Sequence, residues 1–329
     1  MTNCPRFSSQ ERNAVNEMKS LAMQVHIEAG ASAIYRALTT TDAVRAWLAE
    51  SADIDLAAGR FLFWGAATPF NPSRHDEHLT LLAHEVDRLL KFAWHLGHAP
   101  SRVTIKLRDL GAERTALTLI HQREEQKEPE TFTLEDFWFV HLENLRRYID
   151  GKSCEARVDF SRPMTGDIEH SLESIASPET IFSVLTRPNL MERWIANQAR
   201  IELQPGGEYD LGWGVDGIRV VDCAQNQSLT ISWQMADEAP TRATWRLERF
   251  AGKTRIRFDH SGFSPDFPNN GIWIGWLNYL NWIRSIAEYG ETWQPPAIPL
   301  ADHPWAQIYP KSMHEMQEKL VQSDLQLEA

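Results

Sequence analysis

The chain has 329 residues, 43% of them hydrophobic and 10% aromatic, which is enough for two domains that each bury an apolar core. Its net charge of −12 excludes a nucleic-acid-binding protein, which needs a basic face, and disfavours docking on anionic membranes. The three cysteines form no Cys-x-x-Cys pair or disulfide framework, and we find neither a secretory start nor an apolar run of about 18 residues. We therefore expect a cytoplasmic protein without membrane insertion.

In chain order, a polar N-terminal extension (1–19) is followed by an internal repeat. Segments 29–49 and 176–196 align at an offset of 147, so that Trp47 matches Trp194. Five such blocks in the same order indicate a tandem duplication. The later blocks pair Leu90–Trp94 with Leu229–Trp233, Leu117–His121 with Ile256–His260, Trp138 with Trp273, and Leu142–Leu145 with Leu277–Leu280.

Each copy has the same predicted order of elements. An opening strand (21–28 or 168–175) leads to a short helix pair, then to antiparallel strands with period-two alternation, and finally to a long helix (133–150 or 270–288). Ser177 before Pro178 is a typical helix N-cap. This order predicts an α+β fold. The predicted domains are 20–151 and 165–290, joined by a linker at 152–164 and followed by a C-terminal extension at 291–329 with a helix at about 311–325.

Four motifs of the second copy carry a resemblance to a known family. They are S-P-E-x-I-F-x-x-L-T-x-P from Ser177, L-x-P-G-G-x-Y from Leu203, L-T-I-S-W from Leu229 and T-R-I-R-F-D-H-S-G-F from Thr254. They resemble the START-like (SRPBCC) superfamily, and within it the branch named for the activator of the heat-shock protein 90 ATPase. The resemblance implies two tandem helix-grip domains, each a curved antiparallel sheet wrapped around a long C-terminal helix.

The first copy departs from this pattern, since Gly30-Ala31 replaces Ser177-Pro178 and Gln122 stands where Ser261-Gly262-Phe263 begins in the second copy. The family includes ligand carriers, cyclases and co-chaperones, so the resemblance implies a fold and no single activity.

Alternation along the strands places apolar and aromatic side chains on one face of each sheet, opposite the long helix. If these faces look inward, each domain has an apolar pocket with few polar groups, as small-molecule sites do. The candidate ligand-binding residues are Tyr209, Leu211, Trp213, Ile231, Trp233, Trp245, Phe258, His260, Trp273, Trp276 and Leu280 in the second copy, and Phe92, Trp94, Leu119, His121, Trp138 and His141 in the first.

His121 and His260 each end an apolar strand face, and two interpretations stay open for them. Each is a hydrogen-bonded structural residue or a polar contact to a ligand. Trp47 and Trp194 follow the short helices, and we expect both to pack in the domain cores.

Three further segments are predicted to be loops or turns that connect the regular elements. The insertion Gly65–His78 contains His75 and His78, but Pro69 and Pro72 favour a solvated loop over a metal site. The charged run Arg123–Glu130 is typical of a solvated connection, and Gly206-Gly207 is typical of a hairpin turn. We find no nucleophile motif and predict no catalytic residue, metal or cofactor.

The sequence supports three functional hypotheses. The first is a tandem START-like protein, acting as a carrier, sensor or stress-response protein, that binds an apolar or aromatic small molecule, with the second copy as the main pocket. The second is a co-chaperone of a heat-shock protein 90 ATPase, although nothing here resembles the separate amino-terminal domain of the eukaryotic activators. The third is a cyclase or hydrolase that uses His260 as acid and base. The sequence does not set the oligomeric state or the role of the C-terminal extension, which either braces the domains or mediates self-association.

Overall fold

A computed structural model of the chain describes residues 18–97, 99–124, 134–214, 217–234, 239–300, 303 and 306–317. The predicted N-terminal extension, most of the Arg123–Glu130 connection and the end of the predicted C-terminal helix therefore lie outside the described residues. No helix among the described residues is long and apolar enough to cross a membrane.

The first half of the chain folds into a five-stranded antiparallel sheet and one long helix. The sheet order is β1-β7-β6-β5-β4, so the first and last strands are neighbours. A small hairpin, β2-β3, lies after two short helices. The elements are β1 (Met18–Ile27), α1 (Ala31–Thr39), α2 (Thr41–Trp47), β2 (Ser51–Asp55), β3 (Arg60–Trp64), β4 (Leu79–Glu85), β5 (Leu89–Leu96), β6 (Ala99–Gly111), β7 (Arg114–Glu124) and α3 (Leu134–Ile149).

The second half repeats this arrangement. Its sheet order is β8-β14-β13-β12-β11, again with the first and last strands paired, and its small hairpin is β9-β10. The elements are β8 (Ile168–Ser174), α4 (Pro178–Thr186), α5 (Pro188–Met191), β9 (Arg200–Ile201), β10 (Tyr209–Asp210), β11 (Arg219–Ala224), β12 (Ser228–Trp233), β13 (Thr241–Phe250), β14 (Lys253–Ser261) and α6 (Asn270–Tyr289), followed by α7 (Lys311–Gln317) in the C-terminal segment. The predicted α+β fold of two helix-grip domains is confirmed.

Hydrogen bonds repeat between the domains at the offset that the sequence predicts. The indole N–H of Trp47 donates to the carbonyl of Ala37 at 2.9 Å, and that of Trp194 donates to the carbonyl of Val184 at 3.1 Å. Both pairs differ by 147 positions, so the duplication extends to individual contacts. The predicted N-cap is confirmed as well, since the Ser177 hydroxyl accepts the backbone N–H of Thr180 at 3.2 Å.

The alignment of the two long helices differs from the sequence prediction. Trp138 donates its indole N–H to His121, and the residue that donates to His260 is Trp276, so the helices correspond at an offset of 138. The pairing of Trp138 with Trp273 was wrong by three positions. A shift of three keeps a residue on nearly the same helix face, so the apolar pattern alone does not detect it.

The two long helices also pack against each other and join the domains. Phe139 of α3 contacts Trp282 of α6, with ring centroids 5.3 Å apart. Arg147 donates to the Ser285 hydroxyl and to the Glu288 carboxylate, both at 3.0 Å. The side chains of Arg147 and Glu288 are 1% and 2% exposed, so this ion pair lies in the interior of the interface. The domain interface therefore combines aromatic packing with buried charges.

The C-terminal segment after α6 contacts both domains. Ala297 exchanges two backbone hydrogen bonds with Gln24, at 2.8 and 2.9 Å, and so extends the first sheet beyond β1. The chain then returns to the second domain, where the Lys311 N–H donates to the Ala196 carbonyl at 3.0 Å. Trp293 is buried against Trp282. The segment thus braces the two domains, which the sequence had left open.

Candidate functional site

The interior of the second domain contains a chain of hydrogen bonds centred on His260. Trp276 Nε1–H donates to His260 Nδ1 at 2.8 Å, and His260 Nε2 lies 2.7 Å from the Thr241 hydroxyl. That hydroxyl in turn donates to the Trp233 carbonyl at 3.0 Å. The chain links the long helix to two strands, and both ring nitrogens of the histidine have partners.

The first domain contains the same chain, centred on His121. Trp138 Nε1–H donates to His121 Nδ1 at 3.0 Å, and His121 Nε2 lies 2.8 Å from the Ser101 hydroxyl. The Ser101 hydroxyl donates to the Trp94 carbonyl at 2.5 Å. Sequence reasoning missed Ser101 and Thr241. Their shared position seven or eight residues after the two matched tryptophans was an available signal.

These contacts determine the protonation state of both histidines. An indole N–H can only donate, so Nδ1 must be the acceptor and the ring proton must lie on Nε2. Burial lowers the pKa of His121 to about 3 and that of His260 to about 4, which keeps both rings neutral near pH 7. Since the Nδ1 lone pair is already engaged, the geometry favours a structural role and gives little support to acid–base catalysis by His260.

The predicted inward faces are formed as expected. All six candidates of the first domain and eight of the second are buried. The buried candidates are Phe92, Trp94, Leu119, His121, Trp138 and His141, and Tyr209, Leu211, Ile231, Trp245, Phe258, His260, Trp276 and Leu280. The remaining three, Trp213, Trp233 and Trp273, are half-buried. Trp273 lies against His170 at the β8 side of the sheet, with ring centroids 4.2 Å apart.

Several candidates hold the domain together through polar contacts of their own. The Tyr209 hydroxyl donates to the Leu185 carbonyl at 2.8 Å, and burial raises the pKa of Tyr209. His141 Nδ1 lies 3.2 Å from the Trp47 carbonyl, which ties α3 to α2, and burial lowers the pKa of His141 to about 3. Trp213 donates to the Ile195 carbonyl at 3.0 Å. These contacts orient the walls of each interior.

The first domain is closed around its histidine. Trp94 stacks on His121 at 5.6 Å and contacts Phe137 at 5.7 Å. Phe137 in turn contacts Phe160 of the interdomain segment at 6.4 Å, and the Phe160 N–H donates to the Ala66 carbonyl. Ala67 and Thr68 of the Gly65–His78 insertion are buried. The insertion was predicted as a solvated loop, and in part it packs instead over this end of the domain, because apolar residues flank its turns.

His78, the last residue of the insertion, forms a hydrogen bond with the protein backbone. His78 Nε2 bonds to the Phe63 carbonyl at 2.8 Å. Within the described part of the chain, no three side chains of His, Cys, Asp or Glu lie close enough to hold a metal ion.

The second domain is more open at the equivalent place. Trp233 contacts Trp213 at 5.8 Å and Trp276 at 5.2 Å, and His260 contacts Phe263 at 4.6 Å. Trp213, Trp233 and Phe263 all keep part of their surface exposed. We call this set, with His260 and Trp276, the aromatic mouth. Phe263 was missed as a site residue, although it ends the S-G-F motif that the sequence displays.

Two aromatic positions of the first domain are not aromatic in the second. The residue before the histidine-bonded tryptophan is Phe137 in the first domain and Gly275 in the second. In the small hairpin, Phe63 of β3 corresponds to Leu211 after β10, because Phe61 pairs with Ile54 as Tyr209 pairs with Ile201. At these two positions the second domain has no ring, although Trp245 and Phe258 stand where the first domain has Ile105 and Leu119.

Comparisons with known proteins follow the same division of the chain. Residues 28–150 and 175–288 match the family model described as "Activator of Hsp90 ATPase homolog 1-like protein". No curated protein matches the chain.

Among solved structures, the protein MLL2253 from Mesorhizobium loti is 20% identical, covers 38% of this chain and 98% of its own, and has a TM-score of 0.35. The Aha1 dimer from Colwellia psychrerythraea is 22% identical over 38% of this chain and 98% of its own, with a TM-score of 0.29. DynU16, described as a putative protein in the dynemicin biosynthetic locus, is 17% identical over 82% of this chain and 98% of its own, with a TM-score of 0.30. At these values the likenesses carry no argument about function.

Proposed function

The chain belongs to the family of Activator of Hsp90 ATPase homolog 1-like proteins, and we propose that it binds an apolar or aromatic small molecule at the aromatic mouth of its second domain. The first domain acts as a closed structural partner. The observation that carries this proposal is that Trp233 and Phe263, which contact His260, are half-exposed, whereas Trp94 and Trp138 around His121 are buried.

The chemistry of the mouth favours such a ligand. Half-exposed indole and phenyl rings present apolar faces that gain free energy when a ligand removes them from water. Phe263 also stacks on Phe267, with centroids 5.2 Å apart and planes at 18°, so the apolar surface extends outward from the mouth. Few polar groups converge there, which suits an apolar ligand rather than a charged one.

Binding without acid–base chemistry agrees with the state of His260. Its two nitrogens are engaged by Trp276 and Thr241, and its neutral ring is the form that burial favours. A ligand would therefore contact the edge of the hydrogen-bonded chain and leave the chain itself in place.

The test has two parts. Native mass spectrometry of the purified protein, with extraction of any co-purifying molecule, identifies a natural ligand. The neutral fluorophore N-phenyl-1-naphthylamine then measures the site directly. We expect Phe263→Ala to weaken its affinity by about tenfold, since the variant removes one wall of the mouth. Phe250→Ala, an exposed aromatic residue at the far end of β13, is the matched control and leaves the affinity unchanged.

Equal affinity in the wild type and Phe263→Ala, together with an apo mass, rejects binding at the mouth. The family description then gives the next candidate, a co-chaperone that stimulates a heat-shock protein 90 ATPase. An ATPase rate that does not change when the protein is added rejects that second function.

A further inference from the structure

A separate cleft lies where the two domains and the C-terminal segment meet, far from either histidine-centred interior. It has a volume of about 110 Å³, and all three parts of the chain line it. The first domain contributes the start of β7, the end of β1 and the C-terminal end of α3, while the second contributes the end of α6. The residues that carry the argument are His26, Glu28, Arg114, Arg146, Asp150 and Trp293.

The charges in this cleft are balanced and come in two neighbouring pairs. Ile27, the last residue of β1, pairs with Thr115 of β7, so Glu28 directly after β1 lies beside Arg114 at the start of β7. Arg146 and Asp150 are one helical turn apart at the end of α3. Each side of the cleft therefore offers one guanidinium and one carboxylate.

The two sides of the cleft differ in whether their charged side chains already have hydrogen-bond partners in the protein. Arg146 is 8% exposed and is held by Glu143 Oε2 and by the Gln294 carbonyl, both at 3.0 Å. Asp150 accepts the Tyr289 hydroxyl at 2.7 Å. The side chains of Glu28 and Arg114 are exposed and form no hydrogen bond or ion pair with any residue that the structure describes. The sheet side thus keeps one carboxylate and one guanidinium available to a ligand.

We propose that this cleft binds a small zwitterion that carries one carboxylate and one ammonium group, of the size of a free amino acid. A simple anion would meet repulsion from Glu28 and Asp150, and a simple cation would meet repulsion from Arg114 and Arg146. A molecule with both charges satisfies both kinds of group, with the planar guanidinium of Arg114 suited to its carboxylate.

The size and walls of the cleft support the same class. A cavity of about 150 Å³ holds one benzene molecule, so about 110 Å³ accommodates only a few heavy atoms. The Trp293 and Tyr289 rings provide an aromatic wall, against which a short hydrocarbon chain can pack, while Arg193 and Lys152 already lie over these rings. His26 also faces the cleft, where burial and the neighbouring Arg114, Arg108 and Arg146 lower its pKa against the opposing effect of Glu28.

Ligand binding in this cleft would also stabilise the interface between the two domains. Trp293 and Gln294 belong to the C-terminal segment, and Arg146 is oriented by the Gln294 carbonyl. The complete lining exists only when the segment is seated on the first domain. A ligand that contacts the complete lining therefore favours the assembled arrangement.

The test uses the full chain and three probes at equal millimolar concentration and ionic strength: glycine, acetate and methylammonium. Saturation-transfer NMR and competition give their relative affinities. We expect acetate and methylammonium to bind about tenfold more weakly than glycine, because each satisfies only one kind of charge. Arg114→Gln and Glu28→Gln should each weaken glycine binding by about tenfold, and both residues are exposed enough to be replaced without unfolding.

Arg88→Gln is the matched control, since Arg88 is an exposed arginine at the opposite edge of the same sheet and should leave glycine binding unchanged. Equal affinity for acetate and glycine overturns the proposal, as does unchanged glycine binding in Arg114→Gln and Glu28→Gln. Binding of the fluorophore at the aromatic mouth is independent of either result.

Discussion

Trp276 of the long helix donates its indole N–H to Nδ1 of His260, which lies at the end of the last strand, at 2.8 Å. This bond sets the position of α6 along the sheet of the second domain. It also fixes the tautomer of the histidine, since the acceptor nitrogen cannot carry a proton. Because Trp138 and His121 make the same bond in the first domain, the contact belongs to the fold that both copies share.

We expect removal of the histidine to destabilise the second domain. His260→Ala leaves the buried Trp276 N–H without an acceptor and creates a cavity, so the free energy of unfolding should fall by about 2–4 kcal/mol. Urea denaturation followed by fluorescence measures this change. His95→Ala, at an exposed position on β5, should change the free energy by less than about 0.5 kcal/mol. A loss no larger than that of His95→Ala would contradict the structural role.

The buried histidines should make the protein sensitive to acid. Burial lowers the pKa of His121 and His141 to about 3, and that of His170 and His260 to about 4. In the unfolded chain these pKa values return to about 6.5, so the unfolded state binds more protons between pH 6.5 and 4. The stability that the neutral rings contribute is complete above pH 6.5 and is lost as the pH falls.

Each of these histidines should therefore lower the free energy of unfolding by about 2 kcal/mol as the pH falls from 6.5 to 5. Urea titrations at the two pH values measure the sum. His260→Gln should reduce the difference between them by its share of about 2 kcal/mol. A stability that does not change over this interval would show that the rings are not held neutral.

Removing only one partner of the ion pair between Arg147 and Glu288 should lower the free energy of unfolding. Glu288 also accepts from Lys152 and from the Ser174 hydroxyl, and Arg147 lowers its pKa despite burial. Arg147→Met leaves a buried carboxylate with less compensation, and we expect a loss of about 3–5 kcal/mol in denaturant unfolding.

The double variant Arg147→Met with Glu288→Leu removes both charges and should recover part of that loss, because no unpaired buried charge remains. A double variant that is less stable than Arg147→Met alone would show that Glu288 stabilises the interface mainly through its other partners, Lys152 and Ser174.

Trp293 should be the main anchor of the C-terminal segment. Its ring lies 5.7 Å from that of Trp282, and its N–H donates to Glu143 at 3.2 Å. Trp293→Ala should lower the free energy of unfolding by about 3–5 kcal/mol and release the segment from β1. Hydrogen exchange at the Gln24 amide, which donates to Ala297, measures the release. Unchanged protection of that amide would show that the segment stays attached without its tryptophan.

Much of this architecture could be predicted from the sequence by itself, because it depends on local and repeated patterns. Alternation along strands such as Leu229–Trp233 predicted the inward face, and Ser177 before Pro178 predicted the start of α4. The offset of 147 predicted equivalent contacts of Trp47 and Trp194. A side-chain period of two or 3.6 and a repeated block of residues need no knowledge of distant contacts.

Only the tertiary structure decided the features that depend on long-range partners. The pairing of Trp138 with Trp276 needed the two histidines as markers, since a shift of three positions hardly changes the helix face. The closure of the first domain by Phe160, the joint between Arg147 and Glu288, and the bridge from Ala297 to Gln24 all join residues more than 20 positions apart. A sequence pattern records which side chain is apolar or charged, and it does not record which partner removes that side chain from water.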